Sequence, residues 1–205
     1  LTRPDWFPDW TGQRCVIVAS GPSAAEAPLA EIEGRARIIA TNNSWRLVPF
    51  ADALYASDDH WWRTGAGNEF QGLKISRSEH PGVHQVELAL DCRGLFVDGI
   101  VFDEPGVIGS GGGSGFQALN LAVQFGATRI ALVGLDARVD RGVHWHGPHE
   151  GGLSNPHEGT AELWRVAMDR AAPVLAERGI EVVNCSACSA LQGFRKMDLS
   201  EWLGG

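Results

Sequence analysis

The 205-residue chain has one tyrosine, two methionines and four cysteines, and its 25 acidic residues against 17 basic ones leave a formal charge of -8. A protein that grips duplex DNA by neutralising phosphates needs clustered Lys and Arg in surplus. The acidic balance excludes that mode, so no extended nucleic-acid surface is expected and any nucleotide contact is local. No apolar run approaches the roughly 20 residues that a membrane-spanning helix requires, and Leu1-Thr2-Arg3-Pro4-Asp5-Trp6 lacks the apolar stretch of a signal peptide. The expectation is a cytoplasmic protein with no membrane partner. Four sparse cysteines in a chain of this size do not read as a disulfide framework. Cys185-Ser186-Ala187-Cys188 has the spacing of a redox or zinc pair, but no second pair accompanies it and it follows a late strand. Reduced thiols that pack as small apolar groups are expected.

With 44% hydrophobic and 20% charged residues the composition is that of a folding globular chain, and its length suits one domain spanning 1–205. Cys15-Val16-Ile17-Val18-Ala19 is a continuous apolar run of the kind found in a sheet covered on both faces. It ends at Ser20-Gly21-Pro22-Ser23, after which Ala24 to Ile32 reads as a helix with Ser23 as its N-cap. Arg37 to Ala40 and Asp52 to Ala56 repeat the pattern, breaking at Thr41-Asn42-Asn43-Ser44 and Ser57-Asp58-Asp59-His60.

Between Thr64 and Ile108 only short β-like pieces show, near Leu73 to Ser76, Val83 to Leu88 and Gly99 to Phe102. A glycine-rich segment from Gly109 to Gly115 then leads into a helix reaching about Phe125, followed by the strand Arg129 to Val133 and the polar end Gly134-Leu135-Asp136. A long loop with four histidines runs to Gly159, a helix covers Thr160 to Arg178, and Ile180 to Asn184 is the last clear strand. Strands alternating with helices predict an α/β, Rossmann-like fold: an open, mostly parallel sheet with helices on both faces.

In such sheets ligands sit beyond the carboxyl ends of the strands. Gly21, Pro22 and Ser23, Asn42 and Asn43, Asp58, and Asp136 all fall directly after predicted strands, so the fold is expected to bring them together. The Gly21-Pro22-Ser23 turn allows close backbone approach and suits a phosphate, although the same residues also make an ordinary tight turn. Ser114 and Gly115, at the start of a helix, could hold phosphate or ribose oxygens through backbone N–H groups; a flexible connection is the plainer alternative. No long strand precedes the glycines, so a dinucleotide fingerprint is not read there. His144-Trp145-His146-Gly147-Pro148-His149 is the most suggestive stretch chemically, because imidazole readily accepts a proton near neutral pH. Its spacing resembles the His-x-His-x-Asp-His metal motif of metallo-β-lactamase-like hydrolases, with Pro148 at the aspartate position; a solvated loop is the bland alternative. Of the eight tryptophans, most are expected to pack, with Trp61, Trp62 and Trp145 nearest the crevice.

Taken together, Val16-Ile17-Val18-Ala19-Ser20-Gly21-Pro22-Ser23, Ala40-Thr41-Asn42-Asn43, Ser114-Gly115-Phe116-Gln117-Ala118-Leu119-Asn120, Ile130-Ala131-Leu132-Val133-Gly134-Leu135-Asp136 and the ending Val183 to Phe194 resemble one superfamily. It comprises the bacterial sialyltransferases and the archaeal 6-hydroxymethylpterin diphosphokinase-like domains. The pattern further resembles short stand-alone phage members of that group. The resemblance implies that Gly21 and Ser23 border a nucleotide, that Asn42 or Asn43 reaches its phosphate or the transferred sugar, that Ser114 and Gly115 hold phosphate or ribose, and that Asp136 faces ribose or base. It also implies a loop histidine as general base, His149 or His146 by region, with His157 a competing placement. One departure stands out: those transferases bind the leaving phosphate with loop tyrosines, and the only tyrosine here is Tyr55. His144, His146 or Trp145 would have to substitute.

The leading expectation is a glycosyltransferase-like enzyme acting on a nucleotide-activated sugar, with no metal or other cofactor required. The alternatives are pyrophosphoryl transfer from ATP to a pterin-like alcohol, with Mg held by Asp58, Asp59 or Asp136, and a non-catalytic nucleotide-binding module. A homo-oligomer is compatible with all three.

Overall fold

A computed structural model describes residues 3–205. The chain is α/β, built on an eight-stranded, wholly parallel sheet. Its strands in chain order are β1 (Arg14–Val18), β2 (Arg37–Thr41), β3 (Ala53–Ala56), β4 (Leu73–Ser76) and β5 (His84–Gln85), then β8 (Arg129–Val133), β9 (Glu181–Asn184) and β10 (Arg195–Lys196). A separate two-stranded parallel ribbon pairs β6 (Glu87–Leu88) with β7 (Val107–Ile108). The spatial order is β10-β9-β8-β1-β2-β3-β4-β5. From β1 the chain winds outward through β2 to β5, then returns to the other side of β1 and winds outward again through β8, β9 and β10. The connections therefore diverge beyond the ends of β1 and β8, and a crevice at this switch of direction is where such sheets bind ligands.

The central strands β1, β2, β3 and β8 are mostly apolar because each buries both faces. On β1, Cys15 and Ile17 enter one core layer while Val16 and Val18 enter the other. β8 alternates in the same way, with Ile130 and Leu132 on the first side and Ala131 and Val133 on the second. Fully buried side chains of this size contribute about 1.5–3 kcal/mol each, which is why these short runs hold a sheet together without local help.

The first layer is covered by α2 (Ser114–Gln124), which offers Phe116 and Leu119, and by α3 (Glu158–Glu177), which offers Met168 and Leu175. Trp45, Trp61, Trp62 and Trp202 fill the second layer, with α1 (Asp59–Arg63) and α4 (Leu199–Gly204). Trp61 and Trp62 are thus packing residues, buried behind the crevice rather than in it. None of the described helices is long and apolar enough to cross a membrane.

Three expectations are corrected. The helix expected over Ala24 to Ile32 is instead two 3-10 turns, Pro22–Glu26 and Leu29–Ile32. Pro28 supplies no N–H between them, and its ring opposes a continuous helix. Ser23 does not cap the first turn; Gly21 occupies that position, without a side-chain bond. Gly99 to Phe102 forms no strand, and the ribbon partner of β6 is Val107–Ile108. Among the cysteines, Cys15, Cys92, Cys185 and Cys188 are all free.

Candidate functional site

A cavity of about 790 Å³ opens beyond the carboxyl ends of the strands, at the switch between β1 and β8. Gly21 reaches its wall from the end of β1, Asn42 from β2, Asp58 from β3 and Asp136 from β8. Ser114 and Gly115 arrive on the first turn of α2, and His144, His149 and His157 on the loop before α3. Residues separated by more than 100 positions therefore share one rim. Pro22, Ser23, Asn43 and His146 stand just behind it.

The β1 and β8 ends are locked together. Asp136 is buried, and its carboxylate accepts a hydrogen bond from the Ser23 backbone N–H at 2.9 Å and another from the Ser23 hydroxyl. Gly21 donates its N–H to the Gly134 carbonyl at 2.8 Å. A Cβ at Gly21 would lie 2.5 Å from that carbonyl oxygen and 2.8 Å from the Asp136 carboxylate, so only glycine fits the approach. The carboxylate that the resemblance assigns to ribose or base is thus occupied within the protein.

Asn42 and Asn43 divide their work. Asn43 Oδ1 accepts from Arg46 at 2.8 Å and from the Trp61 indole at 3.0 Å, which directs its amide N–H₂ at His146 Nε2, 3.2 Å away. Asn43 therefore positions the histidine loop. Asn42 sits at φ 48°, left-handed backbone that asparagine tolerates better than most residues, and faces the cavity. Ser114 is the first residue of α2 rather than its cap, and its hydroxyl accepts the Ser57 N–H at 3.2 Å, tying the β3 end to the helix. Asp58 caps α1 by accepting the His60 N–H at 2.8 Å. His157 caps α3, its Nδ1 taking the Thr160 N–H at 3.4 Å.

The histidine loop is pinned at three points. Trp145 donates its backbone N–H to the Ser20 carbonyl at 3.0 Å and its indole N–H to Ser44 Oγ at 3.3 Å. Asn43 holds His146 as described. Asn155 exchanges two hydrogen bonds with the His149 backbone, at 2.7 and 3.0 Å.

Three imidazoles converge as a result: the ring centroids of His144 and His149 are 4.5 Å apart, those of His146 and His149 4.9 Å, and those of His144 and His146 5.1 Å. Burial, and then the nearby rings of His149 and His146, push the His144 pKa down to about 4. A hydrogen bond to the Ser20 carbonyl opposes this shift only in part. Burial also lowers His146 and His149, the latter against an opposing pull from the Asp58 carboxylate. The three rings are therefore neutral near pH 7 and retain nitrogen lone pairs.

Arg77 and Arg138 also line the cavity and were not singled out in the sequence. Arg77 follows β4 directly, so the rule that selected Asn42 and Asp58 applies to it as well. It gives its Nε–H to the Ser57 carbonyl at 3.0 Å. Arg138 is held by Asp140 at 2.5 Å. No family model, curated protein or solved structure matches the chain.

Proposed function

We propose that the cavity binds a nucleotide-linked substrate and that the chain is a glycosyltransferase-like enzyme acting on a nucleotide-activated sugar. The observation that carries this reading is the meeting of the β1, β2, β3 and β8 ends around one cavity of about 790 Å³, at the reversal of strand order. That volume lies in the range of small-molecule and cofactor sites. Asn42, which lines the cavity, and the exposed Arg77 are the groups suited to phosphate or sugar oxygens. The family resemblance supports the same placement.

In the proposed reaction an acceptor hydroxyl attacks the anomeric carbon, forming the new C–O bond as the bond to the nucleotide phosphate breaks. The acceptor proton passes to the histidine loop, where His149 lies in the cavity wall. Its lowered pKa keeps the ring free to accept, and the Asp58 carboxylate favours the imidazolium once the proton has arrived.

Magnesium-dependent pyrophosphoryl transfer is less well supported, because Asp58 caps α1, Asp59 pairs with Arg63 at 2.8 Å and Asp136 serves Ser23. A non-catalytic binding module would share the cavity without turnover.

The direct test is thermal stabilisation against CMP, UDP, GDP, ATP and their sugar conjugates. A ligand at about 100 times its Kd adds roughly 2.7 kcal/mol. Asn42→Ala and Arg77→Ala are expected to weaken the responding ligand about tenfold each, equivalent to ~1.4 kcal/mol. If no member of the panel shifts the melting curve, the nucleotide reading is wrong. Turnover that survives replacement of both His146 and His149 would remove the proposed base while leaving the binding site in place.

A further inference from the structure

We propose that His144, His146 and His149 form a binding site for a divalent transition-metal ion of the zinc or cobalt class, open on its fourth side to the cavity. This goes beyond the nucleotide reading and does not rest on it. The three side chains each offer a ring nitrogen, and these atoms all lie within 4.8 Å of one another. Four tetrahedral ligands at about 2.0–2.1 Å from zinc stand roughly 3.3 Å apart. The rings must therefore close by only about 1.5 Å, within the reach of small side-chain rotations on a loop whose backbone is already pinned.

The protonation states suit an ion. His144 Nε2 is buried and has no hydrogen-bond partner among the described residues. A buried acceptor with no partner carries a desolvation cost that coordination would remove. His146 is the ligand that must change most, since its Nε2 takes the Asn43 amide at 3.2 Å, a long contact that is readily exchanged.

The charge of the cavity points the same way. Its wall carries the carboxylates of Asp58, Asp59 and Asp136 against the guanidiniums of Arg77 and Arg138, and Arg138 is paired with Asp140. Neutral imidazoles add no positive charge to offset these carboxylates. A dication on three neutral ligands keeps its full charge and presents it at the open position, since His144 and His149 line the cavity and His146 stands behind them. Three protein ligands with one open position is the pattern of catalytic rather than structural zinc, and imidazole favours zinc, copper, iron or nickel over magnesium. The ion would hold a phosphate oxygen or a water there. In the loaded chain His149 would be a ligand rather than a base, and the ion would supply Lewis-acid chemistry at the open position.

The test uses the full chain, treated with chelator and dialysed, then titrated with Zn(II) or Co(II) alone. Binding of one equivalent is expected, with the visible absorption of tetrahedral Co(II) and an increase in melting temperature. His144→Ala and His149→Ala should each weaken binding by more than about 100-fold, beyond what loss of an outer-shell partner causes. Their melting curves in chelator should stay close to that of the parent, which separates a lost ligand from a lost fold. His84→Ala, outside the cavity wall, should bind as the parent does. No binding by the parent, or binding that persists in the His144→Ala and His149→Ala variants, overturns the site. Nucleotide affinity is measured separately in chelator, so failure of the metal site leaves the other reading to its own test.

Discussion

Two neighbouring segments at the cavity, joined where the Trp145 N–H meets the Ser20 carbonyl, spend their polar groups in opposite ways. At the Gly21 to Ser23 turn, the Ser23 N–H and hydroxyl go to Asp136 and the Gly21 N–H goes to Gly134. In the loop from His144 to His149, the backbone is anchored through Trp145 and Asn155, but the rings are left with lone pairs, and one nitrogen of His144 has no partner among the described residues. Both segments carried residues expected to touch a ligand. A side chain whose capacity is consumed inside the fold holds the rim in shape, and one whose capacity is unspent is free for an incoming group.

The sharpest break of this contrast is Asp136→Ala. It strands the buried Ser23 donors, and hydrogen bonds to charged groups are worth ~1.5–3 kcal/mol each, so a loss of about 3 kcal/mol in urea unfolding is expected. A change below ~1 kcal/mol would mean that the carboxylate is not the clamp. Gly21→Ala attacks the same turn by crowding and should cost ~1–3 kcal/mol, read from the same transition. The histidine loop should respond differently, through pH. The His144 pKa is about 4 in the fold against an ordinary value of 6.5, with His146, His149 and the Ser20 carbonyl facing the ring. Between those limits the unfolded chain takes up a proton that the folded ring refuses. Metal-free protein should therefore hold its full stability above pH 6.5 and lose about 1–2 kcal/mol of it by pH 4, with screening of the partly exposed ring allowed for, and His144→Ala should flatten that part of the curve. The smallest effect on stability belongs to Asn155→Ala. Its two bonds are exposed, so unfolding should shift by less than ~1 kcal/mol, while a loosened His149 weakens Co(II) binding 10- to 100-fold in the titration. Loss of stability without loss of metal affinity would invert the contrast.

Much of the fold is legible before any coordinates. Strands β1 to β4, β8 and β9 are read from their apolar runs because each is covered on both faces, and burial alone selects their residues. The two-residue strands β5, β6, β7 and β10 are not legible, because so short a pairing exists only through its neighbour in space. The rim is legible as a set of positions, since polar residues after parallel strands must gather at one edge. Their duties are not. Ser23 reads as a helix cap and is a partner of Asp136; Ser114 reads as a phosphate or ribose contact and ties down Ser57; Arg77 reaches the wall by the rule that selected Asn42 but escaped it because β4 sits in an irregular stretch.

The amino-acid sequence by itself determined which stretches must be buried on two sides, and hence a parallel α/β sheet with its polar loops at one end, because hydrophobic burial depends on local residue type and period. It also determined that histidines would be concentrated in the loop before the last long helix. Only the tertiary structure decided that three of those rings converge, that Asn43 steers one of them and that Asp136 is already committed. The Asn43–His146 and Ser23–Asp136 hydrogen bonds join residues more than 100 positions apart, and no local pattern encodes those distances.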